Sequence, residues 1–370
     1  MSSGLEVTTL MDQAARLAFR GRGLVEPGCL VGAVVTDAAG NVIAEGRYAR
    51  FGGPHAERVA LMKAGDAARG GTLLVTLEPC NHHGKTPPCT EAVIESGVKR
   101  VIHACHDPND LASGGTEALT DAGIEVLHQP TALTRLLNAP HIHRTRHQLP
   151  WIVAKWAQTL DGRIATRTGA SKWISSERSR RLVHRERGRV DAVFTGIGTV
   201  LADDPMLTAR DLRKPRRRAE RVVVDDSLQI PLQAKIIQTA RDHPTTVLCS
   251  EDSLKTPHAE ELRSAGVRLV RLPTDGTLTE VIRTLTQERN WSTILVESGG
   301  GLMGRLFKER LINEILVFTS PVLLGDQSAP GAVRGFSPEE ISEGLQLELC
   351  ASFQRKPDVV SVLRVRDPAD

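Results

Sequence analysis

Thr76-Leu77-Glu78-Pro79-Cys80-Asn81-His82-His83-Gly84-Lys85-Thr86-Pro87-Pro88-Cys89 is the stretch that decides how the first part of the chain is built. It follows an apolar, strand-like run from Thr72 to Leu77 and delivers two cysteines with eight residues between them. Upstream, Gly53-Pro54 breaks the chain, and His55-Ala56-Glu57 opens a helical segment that runs to Ala64. One imidazole and two thiolates suit zinc, and three protein ligands leave the fourth tetrahedral position open to water. A metal there lowers the pKa of that water towards ~7. Glu57 stands two residues from a ligand without being one, which places it to carry a proton as general acid and base. Helix starts also favour the thiolate form that a metal requires.

The order His-x-Glu, Pro-Cys, Cys resembles that of zinc-dependent base deaminases, whose general pattern closes with two residues between the cysteines where this chain has eight. His82 and Lys85, in the loop between the cysteines, are read as substrate contacts. His82 or His83 as a fourth ligand would close the site to water.

Working outward, Met11 to Gly21 reads as an amphipathic helix, Leu30 to Val35 and Val42 to Gly46 as a hairpin, residues 91–97 as a helix and Val101 to Ala104 as a short strand. Between His141 and Pro150 the sequence is polar and histidine-rich, and the domain boundary is placed there, giving domains 1–148 and 149–370. Beyond it Trp151 to Trp156, Ala192 to Ile197, Arg221 to Asp225, Thr245 to Cys249, Val267 to Leu272, Thr293 to Glu297 and Glu314 to Thr319 are strand-like and mostly separated by helical segments. Both parts read as α/β layers.

Of 370 residues, 40% are apolar and 25% charged, and 47 basic against 44 acidic residues leave a net charge of +3. That balance gives no general affinity for polyanions. No apolar run approaches the ~18 residues of a membrane span, and the polar start Met1-Ser2-Ser3-Gly4-Leu5-Glu6 lacks the charged and apolar regions of a signal peptide. Six scattered cysteines make no secreted disulfide framework, so a cytoplasmic location is the expectation. Nine of the twelve histidines fall in residues 1–150, which assigns any imidazole chemistry to the first part.

Pro54-His55-Ala56-Glu57, the run Thr76 to Cys89 and Asp107-Pro108-Asn109 together resemble the bifunctional deaminase/reductase family of riboflavin biosynthesis, in which the long cysteine spacing is usual. The resemblance implies an N-terminal cytidine-deaminase-like α/β/α domain followed by a dihydrofolate-reductase-like α/β domain. It implies one zinc per chain on His55, Cys80 and Cys89, Glu57 as the catalytic residue, and His82, Lys85 and Asn109 as contacts to a ribosylated, phosphorylated diaminopyrimidinone whose amino group becomes a carbonyl.

In the second part, Lys155-Trp156-Ala157-Gln158-Thr159-Leu160-Asp161-Gly162-Arg163, Ser171-Lys172-Trp173-Ile174-Ser175, Gly196-Ile197-Gly198-Thr199 and Glu297-Ser298-Gly299-Gly300-Gly301 follow one another. A triple glycine after a strand and before an apolar helix lets backbone N–H groups approach a phosphate closely; as a motif taken singly it equally marks a tight turn. These four motifs look like the reductase half of the same family, which uses NADPH to open the ribose of the deaminated intermediate to a ribityl chain. The resemblance implies cofactor contacts at Gln158, Trp173, Thr199 and Asp203 and along Gly299, Gly300, Gly301, Leu302, Met303, Gly304 and Arg305, and Asp226 stands at a further cofactor position where the family commonly has a serine. For the substrate it implies Ser171, Arg187, Leu207, Arg210 and Glu297. The guanidinium forks of Arg187 and Arg210 suit its phosphate. Lys155 and Asp161 are read either as acid/base groups or as a strand-end ion pair. The partner is then a small phosphorylated molecule, with no nucleic acid and no membrane, and assembly into a homo-oligomer is left open.

Three departures from the family fall together. Where it usually reads Pro-Asn-Pro-x-Val-Gly this chain has Pro27-Gly28-Cys29-Leu30-Val31-Gly32, Tyr48 stands where a histidine is usual, and Ser113-Gly114-Gly115 lacks the family's arginine. They imply a less well held pyrimidine, so an alternative is a deaminase half that is weakened or acts on another amine beside an active reductase. A nucleic-acid base deaminase would use Lys214-Pro215-Arg216-Arg217-Arg218 as a basic patch. No aromatic residue lies between Phe194 and Trp291 to stack bases, however, and the run reads as a solvated loop. A non-catalytic zinc scaffold would have no need of Glu57.

Overall fold

The apolar runs pair into two separate sheets in the computed structural model, which describes residues 4–83, 87–109, 114–210 and 215–366. The chain divides into two compact units, Met1–Gln148 and Leu149–Asp370. Among the described residues no helix is long and apolar enough to cross a membrane.

In the first unit β1 (Gly32–Thr36), β2 (Val42–Arg47), β3 (Thr72–Val75), β4 (Arg100–His103) and β5 (Glu125–His128) lie in the order β2-β1-β3-β4-β5. β1 runs antiparallel to β2 and β3, and β3, β4 and β5 are parallel. Successive strand residues face opposite sides, which sorts the core into two layers. Val34, Leu74 and Ile102 meet Met11, Ala14 and Leu17 of α1 (Gly4–Phe19). Ala33, Val35, Leu73 and Val75 meet Ala56 and Ala60 of α2 (Ala56–Ala64), Val93 of α3 (Cys89–Ser96) and Leu119 of α4 (Gly115–Asp121). The expected α/β/α sandwich is what forms.

Two glycines let helices press onto the sheet. A Cβ at Gly32 would lie 2.0 Å from the Ala14 carbonyl oxygen, and one at Gly46 would lie 2.1 Å from the Ala56 carbonyl oxygen and 2.7 Å from the Ala60 nitrogen. Most of the polar, histidine-rich stretch from His141 belongs to a helix of the first unit, α5 (Ala132–His147), with Pro140 inside it. Thr131 and Thr134 close a capping box at its start, and Leu133 and Leu137 pack against Ala15 and Ala18 of α1. Tertiary packing keeps helical a sequence whose last turn is polar and basic.

The second unit strings β6 (Trp151–Gln158), β7 (Ala192–Gly196), β8 (Glu220–Val224), β9 (Thr245–Cys249), β10 (Arg268–Arg271), β11 (Thr293–Val296) and β12 (Glu314–Thr319) into a parallel sheet. A hairpin of β13 (Leu347–Arg355) and β14 (Asp358–Val365), which the sequence reading did not anticipate, extends it antiparallel. The order is β10-β9-β8-β7-β11-β6-β12-β14-β13. Helices α6 (Glu177–Arg187), α7 (Ile197–Asp203), α8 (Lys235–Gln238), α9 (Pro257–Ser264), α10 (Thr279–Arg289) and α11 (Gly300–Lys308) connect the parallel strands. β11 returns late in the chain to lie between β6 and β7, so its carboxyl end marks a reversal of strand order, where open α/β sheets bind ligands.

The basic run is only partly solvated. Arg213 and Lys214 lie outside the described residues, while Arg217 pairs with Asp191, and Arg221 is fully buried and donates to the carbonyls of Met206, Ile236, Thr239 and His243. These cations hold neighbouring segments together. Because α2 carries the first motif, its seating on Gly46 is testable: Gly46→Ala should destabilise the first unit by ~1–3 kcal/mol through overpacking. Calorimetry should show its thermal transition lowered and that of the second unit unmoved.

Candidate functional site

His55 is the N-cap of α2, and Cys89 is the first residue of α3. Cys80 sits in the turn after β3, where the Thr90 amide donates to its carbonyl. The three are brought together: His55 Nδ1 lies 3.5 Å from Cys80 Sγ and 3.3 Å from Cys89 Sγ, and all three atoms fall within 4.8 Å of one another. A tetrahedral zinc with bonds of ~2.0–2.3 Å sets such edges at roughly 3.5 Å, so the donor set fits the ion in kind and in spacing. Among the described residues no other group of histidine, cysteine and carboxylate side chains is arranged in this way, and His82 is not part of it.

The electrostatics suit a metal. Hydrogen bonding from Cys89, aided by His55, holds the Cys80 thiol down to about 4, while the neighbouring Cys80 and burial push Cys89 up. Hydrogen bonding to Cys80 in turn raises His55. Glu57 is 3% exposed, burial raises its carboxyl, and its Oε2 is buried with no hydrogen-bond partner. A buried carboxylate oxygen left without a partner is costly unless it serves a ligand.

Tyr48, noted in the sequence only as a departure, stands edge-on to the His55 ring with centroids 5.4 Å apart, and its hydroxyl accepts from the Gly52 amide at 2.7 Å. A Cβ at Gly28 would come within 3.1 Å of Tyr48 Cε1 and 3.4 Å of Phe51 Cδ2. The two departures are therefore one packing solution, in which the bare glycine leaves room for the ring. Lys85 and Ser113 lie outside the described residues. Nδ1 of His82 is buried without a partner, and the Asn109 amide donates to Asp107 Oδ1 at 3.0 Å in an exposed turn.

The excess of imidazoles in this unit is mostly not metal chemistry. His103, His106 and His128 stack with centroids 4.5–5.2 Å apart, and His106 Nδ1 lies 3.3 Å from Glu78 Oε2. Glu78, which the sequence offered no reason to single out, accepts from the Thr116 amide and hydroxyl, each at 2.8 Å, and from the Asp107 amide at 3.3 Å.

In the second unit α11 starts directly after Gly299, whose amide donates to Thr199 Oγ1 at 3.1 Å. The three glycines differ. A Cβ at Gly300 would meet Arg334 Cγ at 2.9 Å, and one at Gly304 would meet the Arg334 carbonyl oxygen at 1.6 Å, so these two seat the helix against residues 331–334. Gly301 has nothing within 4 Å of such an atom, and Gly299 has only Thr199 Oγ1, at 3.9 Å. Open approach thus belongs to Gly299 and Gly301. Leu302 and Met303 point into the core, leaving only their backbone to a ligand.

Ser171 Oγ reaches the Asp203 carboxylate at 3.5 Å, Trp173 is 70% exposed with the Arg180 guanidinium 4.3 Å over its ring, and Gln158 Nε2 donates to Thr319 Oγ1 at 3.4 Å. Arg305 Nη1 lies 3.5 Å from Asp226 Oδ2. Leu207 is buried with φ of 51° beside Thr208, whose carbonyl accepts from Arg187 Nη1 at 3.2 Å.

Two predicted residues meet in one cluster here. The Arg187 fork closes on Glu297, with Nε to Oε1 at 2.5 Å and Nη2 to Oε2 at 3.0 Å. Lys155 makes no strand-end pair with Asp161; its Nζ donates to Glu297 Oε2 at 3.2 Å, and Asp161 instead accepts from Thr159 and from the Leu324 and Gly325 amides. Burial by itself would raise the Glu297 carboxyl, but Arg187 and Lys155 outweigh it and hold it down to about 2. Arg210 has no carboxylate partner among the described residues; its Nη1 reaches only Met206 Sδ, at 3.7 Å.

Comparison with known proteins gives the family of both units. The family model for the RibD C-terminal domain matches residues 150–361, and that for the cytidine and deoxycytidylate deaminase zinc-binding region matches residues 6–105. The riboflavin biosynthesis protein RibD of Aquifex aeolicus is 40% identical over 332 residues, 89% of this chain and 91% of its own. The RibD of Bacillus amyloliquefaciens is 35% identical over 365 residues, 97% of this chain and 96% of its own. Among solved structures, Acinetobacter baumannii RibD (form 1) superposes with a TM-score of 0.81 at 34% identity, covering 98% of this chain and 99% of that one. The Thermotoga maritima diaminohydroxyphosphoribosylaminopyrimidine deaminase/5-amino-6-(5-phosphoribosylamino)uracil reductase does so with the same score at 33% identity and the same coverage.

A carboxyl depressed in the folded state contributes stability above its ordinary value and loses it as the pH falls through its folded value. The Glu297 cluster should therefore stabilise the second unit fully above about pH 4.5 and cease to do so as the pH approaches about 2. Glu297→Gln, which leaves two half-buried cations without their anion, should cost ~1.5–3 kcal/mol at neutral pH and flatten the acid limb. Thermal melts of both proteins between pH 7 and 2 check this.

Proposed function

The chain belongs to the bifunctional deaminase/reductase family of riboflavin biosynthesis, and we propose that each unit carries out one of that family's two reactions. The first unit hydrolytically deaminates 2,5-diamino-6-(5-phosphoribosylamino)pyrimidin-4-one, water replacing the amino group as a carbonyl and ammonia leaving. The second reduces the ribose of the product to a ribityl chain, a hydride and a proton being added as the C1–ring oxygen bond opens. The observation that carries the first assignment is Glu57 Oε2, buried and unpartnered beside a His-Cys-Cys donor set.

His55, Cys80 and Cys89 would hold zinc, which would supply the Lewis acidity that makes a water nucleophilic near neutral pH. Glu57 would take up a proton at its unpartnered Oε2 and return it to the departing amine, a task helped by burial, which raises its carboxyl. The Tyr48 ring fixes the plane of His55 from outside the donor set. His82, Lys85 and Asn109 contact the pyrimidine or its sugar phosphate.

In the second unit NADPH is the hydride source. Gly299 and Gly301, with the first-turn amides of α11, receive its pyrophosphate, since the turn is open there and those amides lack intrahelical acceptors. Thr199 holds the turn in place through Gly299, and Gln158, Trp173 and Asp203 line the remaining cofactor edge with Ser171 and Leu207 on the substrate side. Arg210 binds the substrate phosphate, having no carboxylate partner among the described residues. Glu297 is held as an anion by Arg187 and Lys155, a fixed negative charge with which a sugar hydroxyl can bond.

Glu57→Gln should keep one zinc per chain by metal analysis and lose deamination ~10²- to 10⁴-fold, with reduction of the deaminated substrate unchanged. Zinc lost with the activity, or both activities falling together, would contradict the assignment. Gly301→Val, placed in open space, should leave the fold intact and raise the KM for NADPH by about tenfold or more through blocked phosphate approach. Steady-state kinetics with product identification by mass reads both.

A further inference from the structure

Asp226 and Arg305 face each other beside the glycine turn, and nothing in the hydride transfer itself uses them. Arg305 stands in the second turn of α11, and Asp226 follows the carboxyl end of β8. Asp226 Oδ2 lies 3.5 Å from Arg305 Nη1, with the Asp226 side chain 59% exposed. Glu309 Oε1 lies 3.7 Å from Arg305 Nε, but its other oxygen is held by the amides of Leu278 and Thr279. Asp275 is near enough for its charge to interact with the guanidinium. Arg305 Nη2 is buried and has no hydrogen-bond partner.

The sheet places this pair with respect to the turn. β7 alone separates β8 from β11, so the end of β8 is ~10 Å from the end of β11 at the usual strand spacing. A dinucleotide with its pyrophosphate at the start of α11 and its adenosine directed towards β8 brings the adenosine ribose to Asp226 and Arg305. A guanidinium, here through the Nη1 that faces Asp226, matches the 2′-phosphate of NADPH, and a carboxylate at that position accepts a hydrogen bond from the 2′-hydroxyl of NADH. This chain presents both groups, bonded to each other. A 2′-phosphate reaches Arg305 only by displacing a carboxylate of its own sign, whereas a 2′-hydroxyl meets Asp226 without that cost.

We propose that the Asp226–Arg305 pair sets cofactor discrimination in the second unit, Arg305 receiving the 2′-phosphate of NADPH and Asp226 opposing it while accepting the 2′-hydroxyl of NADH, so that the chain uses both dinucleotides with a narrow preference. The inference rests on the reading that the Gly299–Gly301 turn holds the pyrophosphate.

Calorimetric titration of the full chain with NADP⁺ and NAD⁺ tests it without turnover. Asp226→Asn should tighten NADP⁺ by about tenfold and weaken NAD⁺, and Arg305→Gln should weaken NADP⁺ by about tenfold while moving NAD⁺ far less. An affinity ratio unmoved by either substitution, in a protein whose binding of both dinucleotides is lost in Gly301→Val, would overturn the discrimination and leave the site standing. Binding of both dinucleotides untouched by Gly301→Val would overturn the site, and the inference with it.

Discussion

The carbonyl oxygen of Ala56 occupies the place where a side chain at residue 46 would have to be, and the chemistry of the first unit depends on that contact. It sets how close α2 comes to the sheet, and His55 and Glu57 ride on the first turn of α2. The second unit uses the same device at Gly304, where the Arg334 carbonyl fills the missing side chain and fixes the start of α11. In both units a glycine sets a helix at short range from its support. In the first unit His55 and Glu57 then sit at the start of that helix, and in the second the open glycines sit at the positive end of α11, where phosphates are favoured.

Two buried glutamates show how environment divides the work. Glu57 and Glu297 are 3% and 8% exposed, yet their carboxyls shift in opposite directions. Burial dominates at Glu57, which favours taking up and giving back a proton. At Glu297 a guanidinium fork and an ammonium overcome burial, so the group stays an anion throughout. One side chain type thus serves as a proton carrier in one unit and as a fixed charge in the other.

The elements legible in the sequence were those specified by neighbouring residues. The valine-rich strands, the helix opening at His55 and the paired cysteines all declare themselves within a few positions, and the donor set closes where their spacing put it. Features made by the fold were not legible. Arg187 and Glu297 are 110 positions apart, so nothing local shows that one consumes the other. Gly299, Gly300 and Gly301 look alike in sequence, and only their neighbours separate those that seat the helix from those open to a ligand. The helix through Pro140 was missed because its support lies on α1, and the last hairpin because β13 is largely exposed and carries little apolar pattern.

Glu78 joins the turn that carries Cys80 to the start of α4 through Thr116 and to the segment after β4 through Asp107 and the Cys105 carbonyl. Bonds outside the donor set therefore tie down the turn that carries Cys80. In domains that fold only on binding zinc, the ion must bring distant ligands together, and removing it unfolds the chain. Here a carboxylate network that contains no metal ligand shares that ordering, so the Cys80 turn is anchored to α4 and to the end of β4 by bonds that do not run through the donor set.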